Sequence, residues 1–220
     1  MSEILNYHLQ QTLKKSRVKV TQAVACPAIS LYLFDPAALD GPISLDETQA
    51  VLAKPAYWSF CWASGQVLAQ YILSNSEYVK GKTIVDFGSG SGIVAIAAAL
   101  AGAQKVFACD IDTHALDACA VNAKLNKVDL HCVSSFDLIK DDIDLIVAAD
   151  VLYDKDNYPL LEFFRAQAHQ VLVADSRIKT LPSDHYRQID SIAARTWPDL
   201  NEFEEFNQVK VYLSKSAQKI

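Results

Sequence analysis

Asp86-Phe87-Gly88-Ser89-Gly90-Ser91-Gly92 stands between a β-rich run, Thr83-Ile84-Val85, and an apolar helical run, Ile93-Val94-Ala95-Ile96-Ala97-Ala98-Ala99-Leu100. The next apolar run, Lys105-Val106-Phe107-Ala108-Cys109, closes on an acid, Asp110. Strand, glycine loop, helix, strand and acid is the order of a βαβ unit that holds a nucleoside. Glycine lets the backbone turn sharply and approach a ligand without a Cβ in the way. An acid at the tip of the second strand can accept hydrogen bonds from both ribose hydroxyls. The spacing here is G-x-G-x-G, whereas dinucleotide sites use G-x-G-x-x-G and offer a helix N-terminus to a pyrophosphate. Asp86, two residues before Gly88, would repel a pyrophosphate and suits a ligand with a cationic end, such as the amino group of a methionine moiety.

Length and composition agree with one unit of this kind. The chain has 220 residues, 51% of them hydrophobic and 21% charged, which suits one α/β domain over 1–220. A helix-and-strand appendage is expected over 1–56 and a cofactor-binding core over 57–213. The net charge of −6 weighs against a nucleic-acid partner, because phosphate binding needs a basic footprint. Cys26, Cys61, Cys109, Cys119 and Cys132 form no C-x-x-C pair, and no histidine spacing suggests a metal, so none is expected. The thiols read as small buried hydrophobes in a reducing compartment. Neither a signal peptide nor a membrane-spanning run is apparent, so a cytoplasmic protein is expected. No helix shows sustained heptads, and the oligomeric state is not legible.

Along the chain, Ser2 to Lys15 is predicted as a helix with Ile4, Leu5, Leu9 and Leu13 on one face. The basic cluster Lys14, Lys15, Arg17 and Lys19 behind it reads as a solvated face. Ala28 to Phe34 alternates as a strand, Asp35-Pro36 and Asp40-Gly41-Pro42 mark turns, and Asp46 to Ala56 reads as a connection with at most one helical turn. The aromatic run Tyr57-Trp58-Ser59-Phe60-Cys61-Trp62 precedes a helix from about Gly65 to Leu73. Strands are then predicted over Thr83–Val85, Lys105–Cys109, Asp129–Val133, Ile143–Ala149 and Gln170–Ala174. Helices are predicted over Ile93–Ala101, Thr113–Asn126 (capped by Asp112 or Thr113) and Tyr158–His169. Arg187–Arg195 is assigned as helix, and Glu202–Phe206 with Val209–Leu213 as an antiparallel strand pair at the sheet edge. Such alternation implies a parallel sheet covered on both faces, with its ligand crevice beyond the carboxyl ends of the strands. Asp86 to Gly92, Asp110 and Asp150 then surround one mouth.

D-x-G-x-G-x-G after the first core strand, with an acid ending the second, resembles the seven-strand (class I) S-adenosylmethionine-dependent methyltransferases. That resemblance implies a Rossmann-like, mostly parallel seven-stranded sheet with an antiparallel C-terminal edge strand, and S-adenosyl-L-methionine as cofactor. Ala148-Ala149-Asp150-Val151-Leu152-Tyr153 ends the fourth core strand, where Asp150 and Tyr153 in D-x-x-Y spacing can face the transferring methyl. Methyltransferases of amide or base nitrogens carry N/D-P-P-Y/F there; the absence of proline weighs against that class. D-x-x-Y together with Y-W-x-F-x-W-x-x-G-Q-x-L-A-x-Y-I over Tyr57–Ile72 resembles one narrower group. It is the protein-lysine methyltransferase subfamily that includes the electron transfer flavoprotein β-subunit lysine methyltransferase and bacterial relatives.

The narrower resemblance implies a protein substrate bearing a target lysine, the electron transfer flavoprotein β-subunit being one candidate. It implies cofactor contacts from Trp62, Asp86, Gly88, Ser89, Gly90, Gly92, Asp110, Ile111, Ser135, Phe136 and Ala149. After the third strand, either Phe136 stacks on the adenine or Asp137 bonds its amino group; Phe136 is preferred. Trp58 is a further aromatic candidate for cofactor contact. Two departures stand out: Ser64-Gly65 replaces a glycine pair, and Ala174-Asp175-Ser176-Arg177 replaces a G-D-P-G-R-like segment. Asp150 is expected to attract a lysine ammonium and orient the amine, with Tyr153 bonding it or excluding water. A small-molecule N-methyltransferase and a non-catalytic S-adenosylmethionine-binding protein are the competing readings.

Overall fold

Side chains along the central strands alternate between two apolar clusters. Ile84 of β3 (Thr83–Phe87) and Leu145 and Val147 of β6 (Ile143–Ala149) join one; Val85, Ile146 and Ala148 join the other. Strands buried on both faces need cover on both. The first face is covered by α3 (Ala63–Ser74) and α4 (Ile93–Leu100), the second by α6 (Leu160–Gln167) through Leu161 and Phe164. The computed structural model describes residues 2–39 and 41–215. The turn expected at Asp40-Gly41-Pro42 therefore begins outside the described residues.

The sheet has seven strands in the order β5-β4-β3-β6-β7-β9-β8. The remaining members are β4 (Lys105–Cys109), β5 (His131–Val133), β7 (Ala168–Asp175), β8 (Tyr186–Ala193) and β9 (Gln208–Ser214). The run from β5 to β7 is parallel, and β9 lies antiparallel to both β7 and β8. The C-terminal strand is thus antiparallel, as expected, but sits one place in from the edge; β8 is the edge strand.

A small outer layer covers the helices. β1 (Val18–Ala23) and β2 (Cys26–Phe34) form an antiparallel pair whose Ile29, Leu31 and Leu33 pack into the first cluster. α5 (Thr113–Leu125) is capped by Asp112, whose side chain accepts from the His114 amide. Its Asn122, with Asn126 just beyond, bonds the β2 backbone: Tyr32 N donates to Asn122 Oδ1 at 2.8 Å and Ser30 N to Asn126 Oδ1 at 3.0 Å. Trp58 is 1% exposed and packs with Leu5 and Leu9 of α1 (Glu3–Gln10) and with Ala115 and Ala118. It belongs to this core and not to a ligand surface.

Several elements depart from expectation for identifiable reasons. The first helix is α1 alone, and Arg17 and Lys19 belong to the hairpin region instead. They clasp the buried Asp35 at 3.0 and 2.9 Å, so these two cations are not simply a solvated face. Residues 45–53 form a full helix, α2 (Leu45–Ala53), started by a capping box between Ser44 and Glu47. None of its residues is buried, so the apolar periodicity that reveals a helix is missing. Arg187–Arg195 is not helical: it overlaps β8. A register shift between Gln188 and Asp190 leaves Ile189 and Ile192 both packed on the core, three residues apart. A bulge thereby imitates helical spacing. Glu202–Phe206 is not a strand; one 3-10 turn covers Glu204–Asn207, and the partner of β9 is β8.

Candidate functional site

Phe87 pairs with both Cys109 and Ala148, and Ala149 with Ala174. This register brings the residues after β3, β4, β6 and β7 to one mouth, where the glycine loop, Asp110, Asp150 and Asp175 meet. The amides of Gly88 and Ser89 donate to Cys109 O at 2.8 and 3.3 Å. Gly88, Gly90 and Gly92 have φ of +71°, +52° and +82°, a region that side chains with a Cβ disfavour. At Gly88 a Cβ would stand 2.7 Å from Val151 Cγ1, and at Gly92 one would stand 3.1 Å from Cys119 Cα. At Gly90 the nearest atom would be Gly88 O, at 4.0 Å. The loop is therefore packed at its two ends and open in the middle, where a ligand can lie against bare backbone.

Carboxylates brace this loop. Asp86 is 1% exposed, and its Oδ2 accepts from the Ala95 amide in the first turn of α4 at 3.0 Å. Burial pushes its pKa up to about 7, against the pull of the Ala95 bond. Asp86 thus lies beneath the loop. Ser89 Oγ donates to Asp86 O at 2.8 Å, and Asn122 Nδ2 donates to Ser91 O at 2.8 Å. Asn122 therefore ties the glycine loop to β2. Asp110 Oδ2 accepts from Gly90 N and its Oδ1 from Asp112 N, both at 2.9 Å. Burial raises its pKa while these amides oppose the shift.

Each oxygen of Asp110 keeps a lone pair for a ribose hydroxyl. Beside it Ile111 is 91% exposed, an apolar ledge at the rim. The Asp110 amide donates to Val133 O at 3.1 Å, which draws the end of β5 to the same rim. There Ser135 Oγ accepts from Asp137 N at 3.3 Å, and the half-buried Phe136 meets Phe163 edge-on at 5.1 Å. An acceptor pair, a bare backbone cradle and apolar flanks fit a nucleoside such as that of S-adenosylmethionine.

The other half of the mouth centres on Asp150. Its φ is +52°, and its amide donates to Ala174 O at 3.0 Å. Oδ1 accepts from Ser64 Oγ at 2.5 Å and from Ser176 Oγ at 3.3 Å; Oδ2 accepts from Ser64 N at 3.2 Å. Ser64 lies in the first turn of α3, so the carboxylate also meets the positive end of that helix. Burial and then the charge of Asp175 push the pKa of Asp150 up to about 6. Trp62 precedes α3, with Nε1 donating to Tyr57 O at 3.1 Å and its ring tilted against Tyr57 and Phe60. Ala149 is half-buried at the end of β6. Tyr153 is 64% exposed, on the outer side of the mouth.

Sequence reasoning assigned no role to Ser64, Ser176, Asp175 or Asn122. The two serines are visible only as departures from a glycine-containing pattern, whereas Asp175 matches the aspartate of that pattern. Asn122, together with Asn126 at i+4, carried a faint signal as an amide pair beside apolar helix positions.

Solved structures that superpose on this fold include the ribosomal protein L11 methylase from Lactobacillus delbrueckii subsp. bulgaricus. It superposes with a TM-score of 0.53 at 24% identity, covering 70% of this chain and 78% of that one. The fold is the seven-strand methyltransferase fold. In sequence, the family description "Ribosomal protein L11 methyltransferase (PrmA)" matches residues 67–155. The electron transfer flavoprotein beta subunit lysine methyltransferase of Mus musculus is 38% identical over 127 residues, covering 54% of this chain and 50% of its own. The ribosomal protein L11 methyltransferase of Aquifex aeolicus is 41% identical over 87 residues, 36% of each chain. The chain spans about half the length of the first-named relatives' sequences. Among the described residues, no helix is long and apolar enough to cross a membrane.

Proposed function

We propose that the chain binds S-adenosyl-L-methionine in this crevice and transfers its methyl group to a lysine amine of a protein. The observation that carries the proposal is the placement of Asp150, held by Ser64 and Ser176 at a strand end next to the glycine loop, with Val151 against Gly88. The relatives support a protein acceptor, since the names of both specify one: an electron transfer flavoprotein β-subunit or a ribosomal protein. The former is the proposed acceptor. The net charge of −6 favours a cationic protein segment over a nucleic acid. Five free cysteines suit a reducing compartment, and the cytoplasm is proposed.

Bound here, S-adenosylmethionine supplies an electrophilic methyl on a sulfonium. Asp110 would hold the ribose hydroxyls, and the loop from Gly88 to Gly92 would offer the ligand its bare backbone. Trp62, Ile111, Ser135, Phe136 and Ala149 line its flanks, and Asp86 braces the loop from below. Alignment of amine and methyl is the protein's main contribution, and fixed geometry of this kind can lower a barrier by roughly 7–11 kcal/mol. A lysine amine, which ordinarily titrates at about 10.4, arrives protonated. Asp150 attracts that ammonium and orients the amine once its proton has left to solvent; Tyr153 bonds the amine or walls it from water.

The test is transfer of radiolabelled methyl from S-adenosylmethionine into a lysate of cells lacking this protein, with Asp150→Ala alongside. A discrete protein band that disappears in the variant is expected. Label confined to small molecules, or no label despite calorimetric cofactor binding, would refute the protein-lysine reading.

A further inference from the structure

The β6–β7 register sets Ala149 opposite Ala174, so the chain leaves both strands at an aspartate: Asp150 and Asp175 are adjacent at the sheet's carboxyl edge. Their surroundings differ. Asp150 is half-buried and faces the mouth, with three hydrogen bonds to its carboxylate. Asp175 is 1% exposed; Oδ1 accepts from the amides of Arg177 and Ile178 at 2.8 and 2.9 Å, while Oδ2 is buried with no close hydrogen bond, the Leu152 amide supplying only a weak pull on the carboxylate. A buried carboxylate oxygen left without a close hydrogen bond is costly and calls for a reason. The same segment also grips Asp150, through Ala174 O on its amide and Ser176 Oγ on its carboxylate.

We propose that Asp175 is a positioning residue that acts through Asp150, the two forming a carboxylate pair that is completed by the cationic ammonium of the acceptor. Two adjacent carboxylates, one half-buried and one buried, resist ionising together. A cation at the mouth relieves that repulsion, so the site favours an acceptor arriving as an ammonium over a neutral one. This inference deepens the proposed lysine specificity and rests on it.

The other titratable groups near the pair do not supply that cation at the mouth. The Cys61 thiol before α3 and the Tyr212 phenol on β9 are both pushed up by burial and stay neutral. The Arg177 guanidinium draws the Asp175 pKa down but is itself paired with Glu202, and Lys210, opposite Asp175 across β7 and β9, directs its Nζ to Lys179 O. Burial is the leading cause that raises Asp175.

The test uses the full chain with Asp175→Asn and Ser176→Ala, following the pH dependence of methyl incorporation into the acceptor band. Wild-type activity should fall as pH drops through about 6, as Asp150 takes up a proton. Asp175→Asn should move that acid limb down by about one pH unit and raise the acceptor KM several-fold, with a smaller change in kcat. Ser176→Ala removes a donor from Asp150 Oδ1 and should move the limb up; if Asp175→Asn fails to fold, the wild-type carbon-13 titration decides, since coupled carboxylates titrate in two interacting steps and an independent Asp150 in one. Cofactor binding as in wild type with both limbs unmoved would overturn the proposal. Carbon-13 NMR titration of Asp150 in the acceptor-free variants reads the same coupling. If the wild type labels no protein, the lysine reading fails; the NMR shifts then still report whether the pair exists.

Discussion

The two halves of the mouth hold their carboxylates differently. Around the glycine loop, Asp86 and Asp110 are satisfied by main-chain amides of Ala95, Gly90 and Asp112, and each left-handed position there is a glycine. At the ends of β6 and β7, side-chain hydroxyls join the main chain: Asp150 accepts from the hydroxyls of Ser64 and Ser176 as well as the Ser64 amide, Asp175 from the amides of Arg177 and Ile178, and the left-handed position is an aspartate. Main-chain bonding needs only the strand–loop–helix geometry that the fold imposes. Side-chain bonding depends on particular residues at particular places. Under the proposed function, the first half would be a cofactor site common to a fold, and the second a site shaped for one class of acceptor.

The largest effect is expected on the acceptor side. Asp150→Ala should cost about 10²–10⁴-fold in transfer while calorimetric cofactor affinity stays at the wild-type value. On the cofactor side, Asp110→Ala should weaken cofactor binding by roughly 1.5–3 kcal/mol, the scale of hydrogen bonds to a charged group, with transfer falling in parallel. Equal losses of affinity in the two variants would erase the distinction between the halves.

Gly88 is where the halves touch. Gly88→Ala forces a Cβ to within 2.7 Å of Val151 Cγ1 at a φ of +71°, and should destabilise the chain by roughly 1–3 kcal/mol in denaturant melts. Adding Val151→Ala should restore part of that loss by removing the clash but not the backbone strain. No recovery in the double variant would mean that the two segments are not in contact.

A smaller effect concerns stability and pH. Burial holds the Asp86 pKa at about 7 and that of Asp150 at about 6 in the folded chain, above the ordinary value near 3.9. Raised carboxyl groups make the folded state bind more protons than the unfolded one. Their contribution to stability is complete below the unfolded value and is lost as pH rises through 6 to 7. Thermal melts should therefore show the ligand-free protein losing stability from pH 5 to pH 8, and Asp86→Asn should flatten that decline. A slope unchanged in the variant would contradict the buried, raised state of Asp86.

The same contrast explains what could be read from the sequence. The glycine loop, Asp110, the Asp112 cap and the strands Lys105–Cys109 and Ile143–Ala149 were legible, because local spacing and uninterrupted apolar runs specify them. β8 was not, because a bulge set Ile189 and Ile192 at helical spacing. α2 was hidden by its lack of a buried face. Ser64, Ser176 and Asp175 were beyond reach as a group: more than a hundred positions separate Ser64 from the others. Their association with Asp150 is created by strand register and by the start of α3.

The most direct test titrates S-adenosylmethionine calorimetrically into wild type, Asp110→Ala and Asp150→Ala, with methyl transfer assayed on the same preparations. The expected result is that Asp110→Ala loses affinity and transfer together, whereas Asp150→Ala binds cofactor as wild type does while its transfer falls by about 10²–10⁴-fold. Undiminished transfer by Asp150→Ala, or its failure to bind cofactor, would contradict the division of labour between the two halves.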